Sequence, residues 1–271
     1  MLLVPFLLHA QAAQTPKAKG PTDERPPADL TGVWYPSSGS TLGAATPDNP
    51  GQQFVWLDSE GKPLKGPLPL TAWGQERLKA NHPTGPKTSA IDSDDPDFQC
   101  FPSGVPRIYL FLYPMEIIHT PGRVLMLFEH GHNIRQIFTD GRGHLQDAEP
   151  SWMGDSIGHW EGDTLVVDTI GYNDKFWIDG KGTPHTEQMH TIERYTRPNF
   201  GTLLLDLTLD DPGAFTRPIE YRFEFKAMSP GVDLMEFICL EDNEYGIAGG
   251  FTPADENGEK EKAKQQGDTK K

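Results

Sequence analysis

The chain has 271 residues, of which 36% are hydrophobic, with 28 Gly and 25 Pro; that length suits one large β-domain or two small ones. A formal net charge of −15, with no basic cluster set against it, repels phosphate backbones and argues against nucleic acid as a partner.

Residues 1–8 are an apolar run, and Ala10-Gln11-Ala12 follows as a small-x-small cleavage pattern. This reads as a signal peptide over 1–12, with the periplasm or the cell exterior as destination. The run is too short to span a bilayer, and no later stretch could do so, so no membrane insertion is expected. Residues 13–28 are polar and proline-rich, a flexible leader. The folded domain is expected over 29–246, and 247–271 reads as a disordered polar tail. Cys100 and Cys239 are the two cysteines. In an oxidising compartment an even number invites a bridge; the alternative is two buried free thiols.

Residues 29–34 form the first predicted strand. Residues 36–69 are rich in Gly, Pro, Ser and Asp and read as a long wrapping segment. The best helix is 70–82, capped by Thr71, with Trp73, Arg77 and Leu78 on one side and Pro83 ending it. From residue 107 the pattern becomes strands separated by turns: 107–113, 115–120, 123–129, 132–139, 156–161, 164–172, 189–196, 202–209, 219–227 and 232–240. Gly162-Asp163 is a tight hairpin turn, and Ser229-Pro230-Gly231 turns the chain into a final hairpin. Leu203, Leu205, Leu207 and Leu209 alternate with polar neighbours, as do Ile219, Tyr221, Phe223 and Phe225. Such alternation means one face in a core and one in water. A meander this long must manage its edges, and closure does so. The fold class is therefore all-β, an antiparallel up-and-down barrel with one short helix and long N-terminal wrapping loops; a two-sheet sandwich is the alternative.

Two resemblances add to this reading. Gly32-Val33-Trp34 on the opening strand resembles the lipocalin and calycin barrels, in which the Trp plugs the closed end and pairs with a late Arg. Arg217 and Arg222 are the candidates here. The segments CFPSGVPR (100–107), HTPGRVLMLFEH (119–130), RQIFTDGRGH (135–144), SWMGDSIGHWEGDTLVVDTIGYND (151–174), PHTEQMHTIERY (184–195) and LMEFICLEDN (234–243) resemble a family of uncharacterised exported bacterial proteins described as lipocalin-like. That resemblance implies a fold and export, not an activity. Leu145 follows His144 where the family pattern has His-Pro.

Ionisable residues inside apolar strand patterns come in networks, because burying one without a partner is costly. Glu116, His119, His132, Arg135, Asp168, His190, Glu193 and Glu236 occupy such positions. We take His132, Arg135, Asp168 and His190 as the candidate catalytic set. His would move protons, Asp would orient it, and Arg135 (or Arg142 on the Asp140-Gly141-Arg142 turn) would stabilise negative charge. Glu116, Trp152, Trp177, Glu193 and Glu236 are candidate ligand-binding residues. Trp152-Met153 and Phe176-Trp177 lie in long connections and could form a lid over a pocket. Ser156 in Gly154-Asp155-Ser156-Ile157-Gly158 approximates a nucleophile elbow, but a strand follows it rather than a helix. No phosphate loop or dinucleotide fingerprint appears, so no cofactor is implied. The expected partner is a small hydrophobic or aromatic molecule. Three readings follow: a barrel with non-redox acid–base chemistry of isomerase or lyase type, a carrier without turnover, and a metal-dependent protein using His130, His132, His185 and His190. The histidine spacing of the third matches no specific metal motif.

Overall fold

The computed structural model describes residues 28–37, 67–81 and 93–239. The expected signal peptide, nearly all of the leader, most of the 36–69 segment and the 247–271 tail lie outside the described residues. Nine strands close into one barrel in sequence order. They are β1 (Gly32–Pro36), β2 (Met115–Thr120), β3 (Arg123–Phe128), β4 (Ile134–Phe138), β5 (Asp155–Glu161), β6 (Thr164–Ile170), β7 (His190–Asn199), β8 (Thr202–Asp210) and β9 (Ile219–Ala227). Closure is made by β1 pairing with both β2 and β9. The long alternations behave as period two requires. Leu203, Leu205, Leu207 and Leu209 of β8 and Ile219, Tyr221, Phe223 and Phe225 of β9 all face the core.

One joint departs from the up-and-down pattern. β4 and β5 run parallel and share two register pairs, Ile137↔Ser156 and Phe138↔Ile157. The connection over 139–154 returns the chain to the end where β4 began, so β5 starts in the same direction. Every other neighbouring pair is antiparallel.

Two predicted strands are not strands. Residues 107–110 form a 3-10 turn with Arg107, Ile108, Tyr109 and Leu110 all buried. An apolar run buried on every side carries no period, so strand and buried turn read alike in sequence. Arg107 is satisfied there by Asp95, through bonds of 2.7 and 2.6 Å. Over the described part of the expected final strand, 232–239, no strand forms, because β1 already occupies the free edge of β9. Residues 232–238 run outside any ladder. Met235 N donates to Glu129 Oε2 at 2.7 Å and Phe237 N to His132 Nε2 at 3.0 Å. The segment then ends at a disulfide between Cys239 and Cys100, the bridge anticipated from the cysteine count.

The helix α1 (Ala72–Ala80) starts on Thr71, whose Oγ1 accepts from Gly74 N at 3.1 Å. It docks through Gly74 rather than through Trp73, which is 45% exposed. A Cβ at Gly74 would lie 2.5 Å from the Ala214 carbonyl oxygen, so only glycine permits this approach. Arg197 of β7, not Arg217 or Arg222, is the arginine over Trp34. Its guanidinium lies 4.9 Å from the indole centroid and donates to the carbonyls of Asp29 and Phe200, each at 3.0 Å.

Candidate functional site

Inside the barrel, the side chains of β4, β5, β6 and β7 that point inward include Arg135, Ser156, Thr169 and Glu193, all buried. Arg135 and Glu193 form a two-bond ion pair, Nη2 to Oε2 and Nη1 to Oε1, the latter at 2.9 Å. Tyr109 and Tyr195 each donate to Glu193 Oε1, at 2.9 and 2.7 Å. Arg135 also donates to Ser156 Oγ at 3.2 Å, to Thr169 Oγ1 at 2.9 Å and to the Tyr109 hydroxyl at 2.5 Å. Burial is the largest single influence and would lower the Arg135 pKa, but the charge and hydrogen bonds of Glu193 together with the neighbouring Tyr109 and Tyr195 hold it well above the ordinary value. Burial pushes the Tyr109 and Tyr195 phenols well above theirs, so both stay protonated donors. Every N–H direction of Arg135 is thereby engaged, and the lumen around it is filled by Tyr109 packed against Phe128, Phe223 and Phe225.

On the outer face of the same strands lies a second polar line. His144 Nδ1 sits 3.0 Å from Asp155 Oδ2, and its Nε2 sits 3.2 Å from Asp168 Oδ1. His190 Nε2 meets the same Asp168 oxygen at 2.8 Å. Leu145 N donates to Asp155 Oδ2 at 2.8 Å, closing the turn that carries His144.

Between these two systems a cleft of about 360 Å³ opens at the β4/β5 joint. Its walls include Ile134, Phe138, Trp152 and Met153, with Gln136 and Asp155 as polar members and Ser156 among the lining residues. The opening has a structural cause. Ser151 is tied to the far side, with its N–H on the Gly171 carbonyl and its carbonyl accepting from Asn173, each at 2.9 Å. Gly154 sits at φ +65°, where a Cβ would come within 2.6 Å of Thr169 Cγ2 and 2.7 Å of the Ile170 carbonyl oxygen. Residues 151–154 therefore follow β6, leave β4, and open a slot. Asp155 and Ser156 are consecutive on β5 and point to opposite faces. One joins the cleft to the outer His144 line, the other to the interior Arg135 network. At the lip, the Arg142 guanidinium lies 3.9 Å from the Phe138 ring centroid while its Nη2 donates to Asp140 at 2.6 Å.

The candidate catalytic residues are thus divided. Asp168 and His190 meet on the outer face, Arg135 lies on the inner face, and His132 is exposed on the 130–132 turn, holding Phe237 N. Among the candidate ligand residues, Trp152 lines the cleft and Glu193 lies in the interior network. Trp177 is buried but is not among the cleft's lining residues. Glu116 is half-buried, opposite Val33 and Leu127 in the sheet. Glu236 is exposed and outside any strand. The four histidines of the metal reading have separate surroundings: His130 against Asp97 and Phe111, His185 against Phe176, His190 on Asp168 and His132 on Phe237. Among the described residues, no group of three or more His, Cys, Asp or Glu side chains is arranged to hold a metal ion.

Tyr109, Tyr195, His144 and Asp155 were not among the candidate site residues taken from sequence. Tyr195 was legible, since it stands two residues after Glu193 on one strand and shares its face. The other three depend on contacts made across the fold. Comparison with protein-family models, with curated proteins and with solved structures returns no match, so the class that can be stated is that of the fold: a closed nine-stranded barrel with a lateral cleft at its one parallel joint.

Proposed function

We propose that this protein is exported to an oxidising compartment, periplasmic or extracellular, and binds a small hydrophobic or aromatic molecule. The binding place in this reading is the lateral cleft, not the lumen. The observation that carries it is a slot open to solvent in which apolar side chains stand beside polar ones, with Ile134 62% exposed at its mouth beside Trp152, Met153 and Phe138. A concavity of this size that sets apolar and aromatic side chains beside a few polar groups has the form of a ligand site. The disulfide supports export, and the Arg197–Trp34 stacking supports the lipocalin-like resemblance. The test is extraction of the protein purified from its native host, with mass spectrometry of what is released. Wild type should carry a ligand that Trp152→Ala and Ile134→Arg lose. Retention of the same ligand by both variants would rule the cleft out.

A second reading, acid–base turnover of that ligand, is favoured by the Asp155–His144–Asp168–His190 line abutting the cleft. It keeps Asp168 and His190 from the sequence-derived set and assigns no chemistry to His132 or Arg135. Deuterium uptake by the extracted ligand in D2O, with wild type and with His144→Ala, tests it. Equal uptake with both proteins would leave a carrier without turnover.

A further inference from the structure

The parallel register of β4 and β5 contains more information than the two pairs it makes. One step back from Ile137↔Ser156, Gln136 stands opposite Asp155. Both side chains belong to the outer face, both line the cleft, and no hydrogen bond joins them. Each is held from behind by groups that leave one polar atom over. Asp155 Oδ2 accepts from His144 Nδ1 and Leu145 N. Its Oδ1 accepts no hydrogen bond from any described residue, although the side chain is only 11% exposed. Gln136 Oε1 accepts from Arg123 Nη1 at 2.9 Å, which fixes the amide orientation and leaves Nε2–H2 as the free end. The slot therefore offers an acceptor from one wall and a donor from the other, above aromatic and aliphatic side chains.

Resting on the cleft as the binding place, we infer that the ligand is a planar, apolar-bodied molecule with a hydrogen-bond donor and an acceptor side by side on one edge. A cyclic amide or a hydroxy-carbonyl edge has this form. Its N–H or O–H donates to Asp155 Oδ1, and its carbonyl accepts from Gln136 Nε2. A carboxylate at the Asp155 side is disfavoured by like charge. A ligand lacking the donor covers the Asp155 carboxylate without replacing the water that Oδ1 would otherwise bind, and sites that hydrogen-bond a ligand polar group reject analogues lacking it most strongly.

Three neutral probes separate the contributions: 2-quinolinone carries donor and acceptor, N-methyl-2-quinolinone the acceptor alone, and indole the donor alone. Affinities are measured by calorimetry or ligand-observed NMR on the full chain. Wild type should bind 2-quinolinone about tenfold or more tighter than the N-methyl compound, as a bond to a charged acceptor implies. Asp155→Ala should bring that ratio close to one. Gln136→Ala, an exposed position, should weaken 2-quinolinone and leave indole unchanged. Asp155→Ala should keep wild-type affinity for the N-methyl compound, which does not use the carboxylate; a general loss of fold would abolish that binding as well. A ratio near one in wild type, or unchanged in Asp155→Ala, overturns the inference while leaving the cleft as the binding place. Failure of all three probes to bind wild type at millimolar concentration overturns both.

Discussion

Arg135 illustrates how a residue suspected of chemistry can be absorbed by structure. Its guanidinium is matched to Glu193 and to hydroxyls of Tyr109, Ser156 and Thr169, so removing one partner strands the other in a dry interior. Arg135→Leu or Glu193→Leu alone should each cost about 3–5 kcal/mol in urea unfolding, and the double variant much less than their sum. His185 makes a different prediction. It is fully buried beside Phe176, and burial lowers its pKa from 6.5 to about 4. As pH falls, the unfolded chain takes up this proton first. The stability associated with neutral His185 is present above about pH 6.5 and is lost progressively toward pH 4, at up to about 1.4 kcal/mol per pH unit. The difference in urea midpoint between pH 7 and pH 4.5 should shrink in His185→Gln, and an unchanged difference would assign the acid sensitivity elsewhere.

At the scale of elements, the β4/β5 joint is the thin place in the barrel wall. It has two register pairs, whereas β7 and β8 share eight. Fewer cross-strand bonds mean a lower free energy of local opening. Amide hydrogens of 134–136 and 152–155 should exchange markedly faster than those of 192–196, and a bound ligand should slow the first group selectively. Uniform exchange around the barrel would contradict the weak joint. Gly154 holds the slot open, so Gly154→Ala should destabilise the fold by at least about 1–2 kcal/mol through its left-handed backbone alone. The clash with β6 adds to this. The signature would be a lower unfolding midpoint together with loss of probe binding.

For the whole molecule, the disulfide and the closed sheet divide the work. The barrel closes without the segment over 232–239, and Cys100–Cys239 ties that segment across a sequence separation of 139. In a chain-entropy account, a loop of this length stabilises the fold by about 4–5 kcal/mol. Cys100→Ser/Cys239→Ser should therefore lower the unfolding temperature substantially while leaving the far-ultraviolet spectrum of the barrel in place. Loss of that spectrum would mean that the bridge is needed for closure itself.

The alternation of β8 and β9, the Gly162-Asp163 turn, the Thr71 cap and the cysteine pair were all determined by sequence. Each depends on local backbone geometry or on a simple count. Sequence did not tell which parity of β6 faces inward, because Leu165, Val166 and Val167 are all apolar and leave period two without contrast; Asp168 fell outside as a result. It did not show that 232–240, with its strand-like Val232, Leu234 and Ile238, had no edge left to join once β1 took β9. The cleft itself was beyond sequence. It exists because one connection returns the chain parallel to β4 while Ser151 bonds to Gly171 and Asn173 just past β6 and Gly154 lies close against β6, and a gap between two strands is a relation that neither strand encodes alone.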